Sequence, residues 1–297
     1  MKLKIKVPAS SANLGPGFDA LGIALGLYNE IAIKTSNFHS ISIKGEGEHN
    51  NRLKKNNIFI SIFNDIYQEL NGHRGTFRFE FTNKIPFARG LGSSSAVIVS
   101  AIASAYEMSN VKVSKNKILN RALFYEPHPD NIAPCVYGGF VSSVVDNNKV
   151  YSLRKTLPQN LKVVMVIPNR PMSTMQSRSQ LPKKFAMGQV VYNLSRASLL
   201  SAAFFSENWE VLKIASKDCI HQDKRMKNMP ELKQVQKRAL EQGALMSTLS
   251  GSGSSFFSMC YETDALGIKE ALQREFSDFR VEILDFDNIG YVVEKND

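Results

Sequence analysis

Three segments of this 297-residue sequence combine residue types and spacing that could do chemistry on a phosphorylated ligand. The first is Pro86-Phe87-Ala88-Arg89-Gly90-Leu91-Gly92-Ser93-Ser94-Ser95-Ala96, lying between an expected strand and an expected helix. Glycines without a Cβ let backbone N–H groups close around a phosphate, and a helix start adds unpaired donors and the positive end of its dipole. The serine hydroxyls add donors, or oxygens for Mg²⁺. No Gly-Lys dipeptide occurs anywhere, which excludes the Gly-x4-Gly-Lys-Ser/Thr loop of P-loop NTPases. A plain turn before a closely packed small-residue helix stays open as the other reading. The second segment, residues 8–19, places Asn13 and Asp19 in a turn-rich stretch after the first strand, where both could also serve their own backbone. The third holds Glu126, His128, Asp130 and Asn131 between prolines, with Asp130 or Asn131 equally suited to cap a helix. A further Gly/Ser run at 249–255 reads, taken alone, as a hairpin loop.

The elements that must hold these residues follow from periodicity. Two-residue alternation at 2–7, 30–34, 40–44 and 76–81 predicts half-buried strands, and helical spacing predicts helices at 58–70, 93–108 and 114–124. A short helix after Asn131 should run into Gly138-Gly139, followed by strands at 140–145 and 150–153 around Asp146-Asn147-Asn148. The second half predicts strands at 162–167, 245–249, 255–261, 280–286 and 291–294, with helices at 189–206, 209–217, 231–242 and 264–276. Strands and helices mix without a regular strand–helix beat, so the fold class is α+β. The soft boundary near 148–158 divides the chain into residues 1–155 and 156–297.

Composition narrows the field. With 43% hydrophobic and 22% charged residues the chain is globular rather than disordered or fibrous. Three widely spaced cysteines build neither a disulfide framework nor a zinc site, and the lysine-alternating start lacks the h-region of a secretory signal, so a cytoplasmic setting is expected. The longest uncharged run, residues 90–106, contains five serines and predicts a buried helix, not a membrane span. The net charge of +10 suits nucleic acid, a membrane surface or a small anionic substrate, and composition alone does not choose among them; the charge is scattered, without a basic block interleaved with aromatics, which points away from nucleic acid.

Together the segments resemble the GHMP kinases, named for galacto-, homoserine, mevalonate and phosphomevalonate kinases. Residues 86–94 look like the ATP loop of that superfamily, and residues 8–22, 128–134 and 250–253 are similar, in order, to its homoserine-phosphorylating branch. The resemblance implies two domains, the first like domain 2 of ribosomal protein S5 and the second ferredoxin-like. It implies ATP and Mg²⁺, with residues 86–96 around the triphosphate, Ser94 and Glu126 at the metal and Asn57 near the adenine. It places Asn13, Asp19, Asn131, Thr174, Arg178 and Arg225 at the amino-acid substrate L-homoserine, Asp19 facing its ammonium group and the two arginines its carboxylate. Asn131 and Arg225 are the catalytic assignments, with Asn131 orienting the hydroxyl. Departures are Ser95, Pro127 and Ser254, where members commonly carry alanine, glycine and proline. The same resemblance leaves room for a homodimer. Its competitors are a mevalonate- or sugar-type kinase and a non-catalytic nucleotide-binding member.

Overall fold

In the computed structural model, which describes residues 2–296, the chain builds two sheets. The first half contains strands β1 (Lys2–Ala12), β2 (Leu21–Thr35) and β3 (Ser40–Gly45), then helices α1 (Asn51–Lys55) and α2 (Ile58–Asn71). Strand β4 (Phe77–Asn83) precedes helices α3 (Ser93–Met108), α4 (Lys115–Ala122) and α5 (Pro129–Tyr137), and the hairpin β5 (Phe140–Asp146) and β6 (Lys149–Lys155) follows. The second half runs through β7 (Leu161–Ile167), α6 (Thr174–Ser179), α7 (Met187–Ser206), α8 (Leu212–Ala215), α9 (Gln222–Arg225) and α10 (Glu231–Glu241). It ends with β8 (Met246–Leu249), β9 (Phe256–Tyr261), α11 (Glu262–Glu275), β10 (Arg280–Leu284) and β11 (Val292–Asn296).

The first sheet has the order β11-β1-β2-β4-β3, with β5 joining β2 and β6 joining β5. All pairs are antiparallel except β3 with β4. The alternation in β4 explains its place: Phe77, Phe79 and Phe81 point inward and are buried, while Arg78 and Glu80 point out. Their rings meet Phe59 and Phe63, one turn apart on α2, in edge-on contacts with centroids 5.1 Å apart for Phe63–Phe77 and 5.2 Å for Phe59–Phe81. Burying each such ring is worth about 1.5–3 kcal/mol, which fixes α2 against the sheet.

The second sheet has the order β10-β7-β9-β8, all antiparallel. With α10 before β8 and α11 before β10, this is the β-α-β-β-α-β arrangement of a ferredoxin-like unit. Its core packs Val164, Val166, Leu249 and Phe256 against Leu232 and Val235 of α10 and Ile268 and Leu272 of α11.

Several expected boundaries move. Strand β2 starts at Leu21, not at residue 30, because its first five residues are buried on both faces and so carry no alternation. Strand β1 continues past Val7 through a register irregularity at Pro8/Ala9. Helix α5 begins at Pro129, a residue suited to a first helical turn, so Asp130 and Asn131 sit on the helix rather than before it. Residues 209–217 form a 3₁₀ turn and the short α8 instead of one helix, and α1, α6 and α9 are too short to show a period. The last strand, β11, crosses back and pairs with β1 in the first sheet.

Candidate active site

The side expected to receive the substrate is built on a loop whose backbone is held in an uncommon conformation. Asn13, Leu14 and Asp19 all have positive φ (69°, 49° and 58°), a region that costs an L-residue energy and needs outside support. The support comes from the second half of the chain. Asn13 Nδ2 donates to the Gly251 carbonyl at 3.0 Å while its Oδ1 accepts from the Asp19 N–H at 3.1 Å. Asn193 donates to the Pro16 carbonyl at 2.9 Å, and His221 Nε2 lies 2.7 Å from the Gly15 carbonyl. Gly15 admits no Cβ, which would stand 2.1 Å from the Ser216 carbonyl oxygen.

Asp19, so placed, meets Arg178 of α6 in a two-pronged ion pair, with Nη2–Oδ1 at 2.7 Å and Nη1–Oδ2 at 3.0 Å. Hydrogen bonding to Asp19 pushes the Arg178 pKa up. His128 Nε2 stands 3.4 Å from the same carboxylate, and its Nδ1 is 3.6 Å from Glu126. Arg225 is different in kind: 2% exposed, it donates to the Gly251 carbonyl at 2.9 Å and stacks over Phe18. Burial, followed by the nearby Arg178 charge, pulls its pKa down to about 10. Asp130 moves the other way, to about 7, through burial first and then the charges of Asp19 and Glu126.

The side expected to receive phosphate is the N-terminus of α3. Its cap is Gly92, at φ 66°, with no side chain to satisfy the first amides, so those N–H groups remain available to an anion. Gly90, at φ 72°, lies so close to the Gly/Ser run at 249–255 that a Cβ would sit 2.0 Å from the Ser250 carbonyl. Ser250 also donates to the Gly90 carbonyl at 2.6 Å. That run is therefore a wall of the site, not the free hairpin its sequence suggested in isolation.

Both sides open into one cleft of about 410 Å³. Of the expected residues it is lined by Asn13, Asp19, Pro86, Ala88, Arg89, Gly90, Leu91, Gly92, Ser93, Ser94, Ser95, Glu126, Asn131, Thr174, Arg178 and Arg225. Three others lie elsewhere. Asn57 spends its carboxamide oxygen capping α2 and lines a separate hollow with Ile41, Lys54 and Ile60, Phe87 packs against Gly47, and Ala96 is buried in α3. The Arg89 guanidinium donates to the carbonyls of Pro168 and Phe87, joining the loop to the second half. Residues the sequence did not assign but the cleft includes are His128, Asp130, Ser173, Gly251 and Ser252. Their signal was faint, since Ser173 precedes a helix of six residues and Asp130 resembled a cap. A larger groove of about 1230 Å³ runs between residues 45–52 and β10, but it mixes Glu46, Glu48 and Glu282 with Arg52, Lys84 and Arg280, and the N-terminus of the five-residue α1 on its wall is capped by the Asn50 side chain.

Among the described residues no three acidic, histidine or cysteine side chains gather into a metal cage. Mg²⁺ does not need one, because it is commonly held by one or two protein oxygens together with substrate phosphates and water. Ser94 and Glu126, both on the cleft, fit that donor set.

An uncapped helix after a Gly/Ser loop, with a ferredoxin-like half against it, offers a place for a phosphate-bearing ligand. The GHMP kinases N terminal domain matches residues 57–139, and the GHMP kinases C terminal domain matches residues 200–278. Homoserine kinase of a Nitratiruptor species is 64% identical over 98% of this chain and 99% of its own, and that of Aliarcobacter butzleri is 57% identical over 98% and 100%. The crystal structure of homoserine kinase from Cytophaga hutchinsonii superposes with a TM-score of 0.87 at 28% identity, covering 99% of this chain and 97% of that one. The chain belongs to the homoserine kinase family.

Proposed function

We infer that the protein transfers the γ-phosphoryl group of ATP to the side-chain hydroxyl of L-homoserine, giving O-phospho-L-homoserine for threonine biosynthesis. The observation that carries this reading is the Asp19–Arg178 pair beside the α3 N-terminus. An amino-acid zwitterion can exchange with such a pair, its ammonium taking Asp19 and its carboxylate taking Arg178. Mevalonate and sugars carry no ammonium group and have no use for Asp19 there.

The site roles we propose follow from that orientation. The N–H groups of residues 92–95 would bind the triphosphate, with Pro86, Phe87, Ala88, Arg89 and Ala96 shaping the loop, and the adenine would extend towards the hollow at Asn57. Mg²⁺ held by Ser94 and Glu126 would neutralise phosphate charge. Asn13 and Thr174 would close the substrate side, and Arg225 would add a second cation for the carboxylate. The oxygen of the hydroxyl attacks Pγ in line, the bond from Pγ to the β–γ bridging oxygen breaks, and ADP leaves. The transition state is loose, so alignment and charge stabilisation matter more than a strong base. Asn131 cannot take a proton, so the hydroxyl proton would pass to a γ-phosphate oxygen.

The homodimer, the cytoplasmic setting and the split into two domains at 155/156, with β11 returned to the first, belong to the same proposal. A coupled ADP-release assay over homoserine, mevalonate, galactose and shikimate tests the function. Homoserine should exceed the others by at least about a hundredfold in kcat/KM, given the polar and charged groups the others leave unpaired. Comparable turnover of mevalonate or galactose would overturn it.

A further inference from the structure

Ser10, near the end of β1, lies at the junction of the two sides of the cleft and belongs to neither ligand. It is fully buried. Its Oγ donates to Asn131 Oδ1 at 2.9 Å, and its N–H donates to the Leu91 carbonyl at 3.2 Å. A Cβ on Gly92 would stand 2.0 Å from the Ser10 Oγ and 3.2 Å from Asn131 Oδ1, so the hydroxyl occupies the space that the glycine leaves. One small side chain thus touches both the phosphate loop and the residue assigned to the reacting hydroxyl.

The chemistry of the neighbours decides which way the Asn131 carboxamide faces. On its other side stands the Asp130 carboxylate, with Asn131 Nδ2 at 3.4 Å from Oδ1. The donor in that contact is the Asn131 nitrogen, so its oxygen is left to the Ser10 hydroxyl, which can donate. Nδ2 carries a second hydrogen, and Asn131 lines the cleft. Reversing the carboxamide would turn its nitrogen to Ser10 Oγ, which can accept as well as donate, and set its oxygen against an Asp130 oxygen, so the Ser10 and Asp130 contacts fix the orientation together.

We propose that Ser10 is a positioning residue for phosphoryl transfer, holding the Asn131 carboxamide with its oxygen occupied so that Asn131 serves the reacting oxygens as an N–H donor. The proposal rests on the placement of Asn131 at the reacting hydroxyl. A donor there stabilises negative charge that grows on the transferring group, whereas a carbonyl oxygen turned to the same place would repel it. Ser10 acts through Asn131 and not on the substrate, so its contribution must vanish when Asn131 has no carboxamide.

A double-mutant cycle reads this directly. Asn131→Ala alone should lower kcat by roughly a hundredfold, in the range seen when a transition-state donor is removed. Ser10→Ala alone should lower kcat by about tenfold, as for the loss of one orienting hydrogen bond, with KM for ATP and homoserine within about twofold. Ser10→Ala added to Asn131→Ala should lower kcat by less than about twofold further. Ser10→Thr, which keeps the hydroxyl and suits a strand, should remain within about threefold of the parent. An unchanged kcat in Asn131→Ala would overturn the assignment of Asn131 itself. A full effect of Asn131→Ala combined with additive losses, or a rise in KM for ATP without loss of kcat, would leave that assignment standing and refute the role of Ser10. Loss of activity in Ser10→Thr with a native circular dichroism spectrum would refute it as well.

Discussion

At the scale of the residue, Asp19 and Arg178 form an ion pair that is part of the fold and part of the site at once. The Arg178 side chain is 41% exposed, so solvent screens the pair and its worth to stability is small, whereas Arg225 is buried and supports the Gly251 wall. Arg178 is therefore the cleaner probe of carboxylate binding. Arg178→Leu should raise KM for homoserine about tenfold, below the roughly 2–5 kcal/mol of a fully desolvated pair, and leave KM for ATP within about twofold. Equal losses for both substrates in steady-state kinetics would remove Arg178 from the substrate site. Asp130 gives a pH signature. Its pKa rises from 3.8 to about 7 on folding, because burial and the Asp19 and Glu126 charges disfavour its ionised form. Between those values the folded state binds more protons at Asp130 than the unfolded chain does, so its contribution to stability falls as pH rises and is unfavourable above about 7. Asp130→Asn should raise Tm at pH 8 in Mg²⁺-free buffer, with the gain shrinking towards pH 4. A gain independent of pH in calorimetry would show that Asp130 is not ionising against its surroundings.

At the scale of the element, the N-terminus of α3 depends on Gly92 having no side chain. Alanine there must adopt φ 66° and place its Cβ against the Ser10 hydroxyl, so Gly92→Ala should weaken ATP binding at least tenfold by titration, an effect of about 1.4 kcal/mol or more. Since Asn131 Oδ1 lies beside the same point, kcat should fall too, and unchanged affinity with unchanged kcat would mean that residues 86–96 are only a packing turn. This element was legible beforehand because two signals coincide in one stretch: glycines at the turn, then an uncharged run of small and aliphatic residues to Tyr106 that makes up all but the last two residues of helix α3. Strand β4 was legible for a similar reason, its three phenylalanines standing two apart. The Gly/Ser run at 249–255 was not, because its shape is set by partners far away in the chain, among them the Gly90 carbonyl and Asn13. The early part of β2 failed for want of a polar face, and Ser10 passed unnoticed because a buried strand serine looks the same whether or not its hydroxyl has a task.

At the scale of the whole molecule, the two halves are joined twice. The chain passes from the first sheet to the second between β6 and β7, and it returns when β11 pairs with β1 from Lys2↔Asn296 to Lys6↔Val292. That return covers the outer edge of β1, the strand that carries on to Ser10 and then to the loop bearing Asn13 and Asp19. The +10 net charge does not hold this edge, since the Lys295–Glu107 pair at 2.6 Å is well exposed and screened. What holds it is the ladder of backbone hydrogen bonds and the half-buried Val293 packed on the core. Truncation after Tyr291 should therefore bare an edge strand, promote association through it, and cost roughly 2–3 kcal/mol. For a chain of this size that lowers Tm by about 3–5 °C. The cleft should survive at 25 °C, because Ser10 stays bonded to Leu91 and the 13–19 loop stays pinned by Asn193, His221 and Gly251. The truncated chain should thus keep kcat within about threefold at 25 °C yet lose activity irreversibly at a temperature the full chain tolerates, a contrast that incubation followed by assay at 25 °C would display. An unchanged Tm would show that β11 adds nothing to the first sheet. A collapse of kcat at 25 °C with a native circular dichroism spectrum would show that the returning strand holds the site and not only the edge.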